Sequence, residues 1–423
     1  MSNLSEKDKK NIWHPFTPLE GGIEPLLIDR AEGVHLYTAD GRKIIDAISS
    51  WWVNLHGHSH PVIAEAVAQQ ARKLEHVIFA GFTHEPAITL SENVLSILPK
   101  GFSKIFFSDN GSTAVEVALK MAMQFWHNQG IERKKIIALE GSYHGDTFGA
   151  MAVGDRSIFT AAFAPYLFEV EFIPFPTSEN ETTVLETFER LLTSGNVAAF
   201  IYEPLIQAAG GMRMYAASIL NQLLSLARAK EVVCIADEVF TGFGRTGRIF
   251  ASDYVETKPD LVALSKGLTG GTLPLGVTAV SDRILTAFQT IEFTKTFFHG
   301  HSFTANPLAC AAANASFTLL QSSDCQQQIK TIANLHQEFA SKLEKYAIVK
   351  EVRTLGTILA IELRTPEKTS YSNSIRGKIY DYFMSRNILL RPLGNTFYIV
   401  APYCISRQQL STIYSAIEEF LTG

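Results

Sequence analysis

The sequence lacks paired cysteines, long apolar runs and an excess of basic residues. Its four cysteines among 423 residues form no CxxC pair, which argues against disulfides and a structural metal site. The segment MSNLSEKDKKNIWHPF lacks the apolar stretch of a signal peptide, and no run is long enough to span a bilayer. The formal net charge of -5 argues against nucleic acid and anionic lipid as partners. We therefore expect a cytoplasmic protein without a nucleic-acid, membrane or metal partner.

The segments that are present predict an α/β fold. Between about residues 60 and 300, helical patterns alternate with near-continuous apolar segments such as VAAFIYEP, VVCIADE and DLVALS, which is typical of a mainly parallel sheet covered by helices on both faces. After an Ala-rich helix that begins near Pro307, mixed helices and strands predict a smaller α+β domain. We expect an N-terminal segment (1–55) that contributes to the small domain and the site, a large domain (56–310) and a C-terminal small domain (311–423).

Two functional side chains are predicted at the carboxyl ends of parallel strands. Asp237 ends the apolar segment VVCIAD, and Lys266 follows DLVALS before a Gly-rich loop. Since ligands bind outside the carboxyl ends of such strands, both side chains are expected in one crevice. An Asp there needs a cation, such as a protonated pyridine nitrogen, and a lysine there can form a Schiff base and move protons. The alternatives are that Asp237 caps a turn and that Lys266 is a solvated surface charge.

A third strand end predicts a phosphate site. The strand KIFFS gives way to DNGST and then to an amphipathic helix. Backbone N–H groups of Gly111, Ser112 and Thr113 at the helix start would bind phosphate, although the same residues also describe an ordinary N-cap. Tyr143, at a further strand end, is either a ring that stacks on a pyridine or a packing tyrosine.

Other residues are compatible with both functional and structural roles. The histidines of HGHSH (56–60) have no local acidic or cysteine partner, which argues against a metal site. Trp51 and Trp52 could form a substrate wall or a core anchor. Arg391, after the apolar residues ILL, could hold a substrate carboxylate through its planar guanidinium or form a structural salt bridge.

These motifs together resemble the class-III, fold-type-I aminotransferases, which depend on pyridoxal 5'-phosphate. The broad motifs are IADEVFTGFGRTG, LSKGLTGG and YEPLIQAAGG. The narrower motifs, WHPF, SSWWVNLHGH, GSYHGDTFGAM, GGMRMY and NPLACAAANAS, are similar to the branch that aminates 8-amino-7-oxononanoate to 7,8-diaminononanoate in biotin biosynthesis. The resemblance covers nearly the whole chain and implies a seven-stranded, mainly parallel sheet in the large domain.

The resemblance also implies roles for individual residues. Lys266 would bind the cofactor covalently, and Asp237 would pair with its pyridine nitrogen. The remaining cofactor contacts would be Gly111, Ser112, Tyr143 and, across a homodimer interface from the neighbouring subunit, His301 and Ser302. The substrate contacts would be Phe16, Trp51, Trp52, Tyr143, Lys266, Gly300 and Arg391. Glu203 would lie near the phenolic side of the cofactor ring.

Two positions depart from the usual pattern of this branch. Phe16 stands where members that use S-adenosyl-L-methionine commonly have tyrosine, and the sequence Gly300-His301-Ser302 replaces Gly-Pro-Thr. Ser302 retains a hydroxyl for phosphate, whereas Phe16 removes one from the donor site. The resemblance thus predicts S-adenosyl-L-methionine as amino donor, with L-lysine, or another ω-aminotransferase reaction, as alternatives.

Two rival interpretations come from other classes of protein. A nicotinamide oxidoreductase would need a GxGxxG loop between a first strand and a helix. The residues 242–247 match those letters, but no helical pattern opens there. A non-enzymatic binding protein would leave the set of Asp237, Lys266 and Ser112 unexplained.

Overall fold

The computed structural model describes residues 2–423. Helices and strands are numbered in chain order. The strands are β1 Ile28–Glu32, β2 His35–Thr38, β3 Lys43–Asp46, β4 Phe102–Ser108, β5 Lys135–Leu139, β6 Glu171–Ile173, β7 Val197–Tyr202, β8 Ile206–Gln207, β9 Arg213–Met214, β10 Val233–Asp237, β11 Leu261–Leu264, β12 Gly276–Ser281, β13 Val349–Leu355, β14 Ile358–Leu363, β15 Ile388–Leu389 and β16 Thr396–Ile399. The α-helices are α1 Ser2–Asn11, α2 Ser49–Trp52, α3 Pro61–Lys73, α4 Glu85–Ile97, α5 Gly111–Asn128, α6 Phe148–Ala152, α7 Glu181–Leu192, α8 Ala217–Ala229, α9 Asp282–Leu285, α10 Pro307–Gln321, α11 Ser323–Leu343, α12 Ile375–Ser385 and α13 Arg407–Thr422.

The central sheet has seven strands in the order β4-β12-β11-β10-β7-β5-β6. Strand β12 is antiparallel to both of its neighbours, and the other strands share one direction. The predicted α/β fold with a mainly parallel seven-stranded sheet is therefore confirmed. The sequence analysis did not identify β12, whose six residues GVTAVS follow a Gly-rich loop and are entirely buried.

Apolar side chains cover both faces of this sheet. Within β10, Val233 and Ile235 contact the cluster built around helix α5, whereas Cys234 and Ala236 belong to the larger cluster on the opposite face. This alternation follows the two-residue period of a strand. Because both faces are buried, the sequence VVCIAD is apolar at every position until Asp237.

The N-terminal segment forms a sheet with a strand from the C-terminal part of the chain. Strands β1, β2 and β3 are antiparallel neighbours, and the turn at Gly41 (φ 90°) joins β2 to β3 as the Asp-Gly sequence predicts. Strand β15 adds in parallel to β3, while β13, β14 and β16 form a separate antiparallel sheet. The domain boundaries at 55 and 310 stay a prediction.

No helix within residues 2–423 is both long enough and apolar enough to cross a bilayer.

Candidate active site

The two predicted charged residues lie on adjacent strand ends. Strands β10 and β11 are parallel, with Asp237 opposite Ala263, so Lys266 follows only a few residues beyond the same edge. Lys266 has a φ of 43°, in the left-handed region that non-glycine residues seldom adopt. Backbone strain of this kind concentrates at functional sites and is maintained by surrounding packing.

A cavity of about 660 Å³ opens at this edge of the sheet. The predicted site residues that line it are Trp52, Gly111, Ser112, Tyr143, Glu203, Asp237 and Lys266. The predicted site residues of the described chain that do not line it are Phe16, Trp51, Gly300, His301, Ser302 and Arg391. The structure therefore brings together the cofactor contacts that are proposed for one subunit. His301 and Ser302, which are assigned to the cofactor of a neighbouring subunit, lie outside this cavity.

The Lys266 amine is held in an apolar environment. Its Nζ atom lies 4.9 Å from the ring centroid of Trp52 and 5.7 Å from that of Phe240. Burial lowers the pKa of Lys266 to about 8, against the opposing influence of Asp237 and Glu203. A larger fraction of this amine is therefore neutral at physiological pH than in a solvated lysine. The structure thus argues against the alternative of a solvated surface charge.

Asp237 is fixed by two hydrogen bonds. Its Oδ2 atom lies 2.7 Å from His144 Nδ1, and its Oδ1 atom accepts from the backbone N–H of Val239 at 3.1 Å. The His144 side chain is completely buried, and its Nε2 atom has no partner among the described residues. The imidazole orients the carboxylate, which lines the cavity and can there meet a cationic ring nitrogen.

The pairing of His144 with Asp237 is not evident from the sequence. The two residues are separated by 93 positions, so no local pattern connects them. The available signal was their position, because both follow apolar strands whose carboxyl ends share one edge of the sheet.

Glu203 connects two loops at the wall of the cavity. Its Oε1 atom accepts from the backbone N–H of Tyr143 at 3.0 Å, and its Oε2 atom accepts from that of Ala208 at 3.1 Å. Burial raises the pKa of Glu203 to about 7. These bonds hold the backbone that carries the Tyr143 ring. Burial also raises the pKa of the Tyr143 hydroxyl, so this group stays protonated.

The start of helix α5 offers two free N–H groups rather than three. Asn110 Oδ1 accepts from the N–H of Thr113 at 3.0 Å, and Thr113 Oγ1 accepts in return from the N–H of Asn110 at 3.0 Å. This reciprocal cap uses the Thr113 N–H, so the prediction that Thr113 also binds phosphate is wrong. The N–H groups of Gly111 and Ser112 stay available on the cavity wall.

Close packing around the helix start requires glycine. A Cβ atom at Gly111 would lie 2.7 Å from a methyl carbon of Val239, and one at Gly145 would collide with the Ser112 side chain. The Ser112 hydroxyl oxygen accepts from the N–H of Asp146 at 3.2 Å. The cradle is thus narrow, carries a helix dipole and suits an anion such as a phosphate.

Trp51 and Trp52 have different environments. Trp52 is buried and donates from Nε1 to the hydroxyl of Tyr398 at 3.0 Å, so it is both a core anchor and part of the cavity wall. Trp51 is 41% exposed, and its ring lies 4.4 Å from Cζ of Arg391 and 5.7 Å from the ring of Phe16.

Arg391 has no salt-bridge partner in the part of the chain that the structure describes. In residues 2–423, no carboxylate oxygen lies within the 4.0 Å ion-pair distance of its guanidinium group. Its stacking on Trp51 leaves the edge of the guanidinium free to donate hydrogen bonds. Of the two interpretations, the structure therefore favours a guanidinium that is available to a ligand.

The histidines of the HGHSH segment have separate structural partners. His58 lies 2.8 Å from Asp46, and His56 lies 3.1 Å from the hydroxyl of Ser316. Strand β3 supplies Asp46 from outside the motif, a partner that the local sequence does not indicate. These contacts join the segment to β3 and α10. Among the described residues, no group of three or more His, Cys, Asp or Glu side chains has a metal-binding arrangement.

Comparisons with known proteins agree with this geometry. Residues 19–421 match the family model "Aminotransferase class-III". The chain is 48% identical to the adenosylmethionine-8-amino-7-oxononanoate aminotransferase of Synechococcus elongatus, over 97% of this chain and 98% of that protein. It is 36% identical to the protein of the same name from Helicobacter pylori, over 99% and 98%.

Two solved structures are also similar to this chain. The crystal structure of adenosylmethionine-8-amino-7-oxononanoate aminotransferase from Methanocaldococcus jannaschii superposes with a TM-score of 0.93 at 35% identity, covering 99% of each chain. The ω-transaminase from Pseudomonas jessenii, at 24% identity and a TM-score of 0.92 over 99% of this chain and 97% of its own, shares the fold.

Proposed function

The chain belongs to the class-III aminotransferases, which are transferases that depend on pyridoxal 5'-phosphate, and we propose that it transfers an amino group from S-adenosyl-L-methionine to 8-amino-7-oxononanoate, giving 7,8-diaminononanoate in biotin biosynthesis. The observation that carries the proposal is the placement of Lys266 and Asp237 in one cavity beside the narrow anion cradle of helix α5. The identity to Synechococcus elongatus aminotransferase supports the choice of substrates.

The residues of the cavity fit the cofactor. Lys266 would hold it covalently, Asp237 would pair with its ring nitrogen, Tyr143 would cover the ring, and Gly111 with Ser112 would bind its phosphate. When bound, the cofactor supplies an electron-accepting ring that stabilises negative charge at the carbon that loses a proton.

The side chains of the chain itself would then position the substrate and move its protons. Lys266 Nζ would take a proton from the amino-bearing carbon of the donor, and in the half-reaction with the keto acid it would return a proton to the corresponding carbon of the acceptor. The Asp237 carboxylate, oriented by His144, would stabilise positive charge on a bound ring nitrogen. Arg391 binds the substrate carboxylate, and the Trp51 ring provides an apolar wall beside it.

The lowered pKa of Lys266 predicts how cofactor loading depends on pH. Only the neutral amine can attack an aldehyde. The cofactor-free protein should therefore capture pyridoxal phosphate at half of its maximal rate near pH 8, where half of the Lys266 amine is neutral. Below that pH, the rate should fall about tenfold per pH unit. Rapid-mixing absorbance over a pH series measures this, and a midpoint near the usual lysine pKa of 10.5 would contradict the buried environment.

The choice of donor can be tested by absorbance. The cofactor-loaded protein is mixed with S-adenosyl-L-methionine and with L-lysine separately, and the near-visible band is followed as the cofactor is converted to its amino form. We expect S-adenosyl-L-methionine to convert the cofactor in the wild-type protein. The matched variant Phe16→Tyr restores the hydroxyl that is common at this position, and we expect it to be converted by the same donor. Conversion by lysine alone would reassign the donor, and conversion by neither would contradict the proposed reaction.

We also propose a cytoplasmic homodimer with shared active sites. Gly300, His301 and Ser302 lie outside the cavity of their own chain, next to the exposed apolar side chains of Phe298 and Phe303. Apolar surface of this kind marks an interface, and it would place His301 and Ser302 against the phosphate in the neighbouring subunit. Light scattering on the loaded sample is expected to give twice the single-chain mass of 46.8 kDa; an active single chain would contradict the shared site.

A further inference from the structure

Four aromatic rings, none of which lines the cavity, form a continuous arc that begins at Trp51, next to the cavity residue Trp52. The ring centroid of Phe16 lies 5.7 Å from that of Trp51 and 5.9 Å from that of Phe159. The ring of Phe159 in turn meets that of Tyr371 edge to face at 4.8 Å. These separations fall in the range of favourable aromatic contacts. Phe159 and Tyr371 occur in loops without any recognisable motif.

The two ends of this aromatic arc (Trp51, Phe16, Phe159 and Tyr371) lie beside different guanidinium groups. Trp51 stacks on the guanidinium of Arg391, 4.4 Å from Cζ, and the ring of Tyr371 lies 4.4 Å from Cζ of Arg376. Tyr371 approaches the turn that follows Arg391, because a Cβ atom placed on Gly394 would lie only 3.2 Å from Tyr371 Cα. Gly394 also has a φ of 64°, so glycine is required there both for space and for conformation. The backbone of Tyr371 therefore lies near the turn that follows Arg391, while its ring stacks on Arg376.

The aromatic arc is accessible to solvent. Phe16 is 48% exposed, Trp51 41% and Phe159 36%, and Tyr371 is half-buried. The guanidinium of Arg391 has no ion-pair partner in residues 2–423, and the apolar arc begins beside it at Trp51. Together they are complementary to a ligand with a terminal carboxylate and an alkyl chain. The keto acid of the proposed reaction has both of these features.

We propose that Phe159 and Tyr371 are substrate-contacting residues that bind the alkyl chain of the keto acid whose carboxylate Arg391 holds. This inference rests on the proposed function and extends it, because it assigns chain-length selection to two loops. The rings cover methylene groups next to the carboxylate, and each covered methylene favours binding of the keto acid of matching length. The amino donor carries its carboxylate on the amino-bearing carbon itself, without the chain of methylene groups that separates the two in the keto acid. We therefore expect its half-reaction not to depend on the rings of Phe159 and Tyr371.

The two half-reactions separate this contact from a structural role. Tyr371→Ala and Phe159→Ala should each raise the apparent dissociation constant for 8-amino-7-oxononanoate about tenfold, as expected for the loss of a half-exposed ring. The maximal rate of that half-reaction should stay within about twofold of wild type, because the rings do not touch the reacting carbon. The half-reaction with S-adenosyl-L-methionine should be unchanged. Tyr166→Ala, which removes an exposed tyrosine ring outside the arc, is the control and should behave like wild type.

A second measurement uses keto acids of different length. Wild type should discriminate against analogues with one methylene more or fewer, and Tyr371→Ala should lose most of that discrimination. Unchanged acceptor binding in both alanine variants, or an effect on the donor half-reaction alone, would overturn the inference. If wild type itself does not use 8-amino-7-oxononanoate, the proposed function fails instead, so the two failures are distinguishable.

Discussion

Lys266→Ala is expected to abolish transamination, with a loss on the order of 10,000-fold or more. The variant loses both the covalent attachment of the cofactor and the amine that moves protons, and proton transfer alone contributes up to about that factor. The measurement is the rate of 7,8-diaminononanoate formation together with the absorbance spectrum of the purified protein. The near-visible band of the attached cofactor should be missing.

The matched control for this variant is Lys345→Ala, which removes an exposed lysine ammonium group from the C-terminal part of the chain. Its activity and spectrum should equal those of wild type. Lys266→Ala should also remain folded, because removing a buried amine takes away a desolvated group rather than a favourable ion pair. Retention of more than about one per cent of wild-type activity by Lys266→Ala would refute its catalytic role.

The parts of the site that follow from strand geometry could be predicted from the sequence. Apolar strands that end abruptly in Asp237 and before Lys266 place both side chains at one edge of a parallel sheet. The start of α5 was predicted for the same reason, since a strand, a short polar turn and an amphipathic helix form one local unit. In these cases the information lies within a few neighbouring residues.

The parts that depend on distant contacts could not be predicted in this way. His144 meets Asp237, and Asp46 meets His58, through folding of segments whose spacing carries no periodic signal. Thr113 was assigned to phosphate because its N–H group lies in the first turn, but its reciprocal cap with Asn110 uses that group. Strand β12 was missed because a six-residue apolar run after a Gly-rich loop is ambiguous until its neighbours are known.

Asp237→Asn is expected to lower kcat/KM about 100- to 1000-fold while the cofactor stays attached. An amide retains the shape of the side chain and can still bond to His144, but it cannot stabilise a positive ring nitrogen by charge, and groups that stabilise developing charge contribute about this factor. The carboxylate also raises the pKa of Lys266. In the variant, the pH midpoint of cofactor capture should therefore move below about 8.

Asp260→Asn provides the matched control at the opposite end of the same sheet. Asp260 is equally buried, but it accepts from Arg283 at 2.9 Å and from the N–H of Cys234 at 2.9 Å, so its carboxylate has protein partners and no contact with the cavity. Neutralising it should lower the melting temperature, because Arg283 loses its buried counter-ion, and should leave kcat/KM and the absorbance of the cofactor nearly unchanged. If Asp237→Asn instead lowers only the melting temperature and retains more than half of the activity, Asp237 is a structural residue like Asp260. If it loses activity with its cofactor band intact, the carboxylate acts on the chemistry itself, and the contrast between two buried aspartates of one sheet locates the reaction at its carboxyl edge.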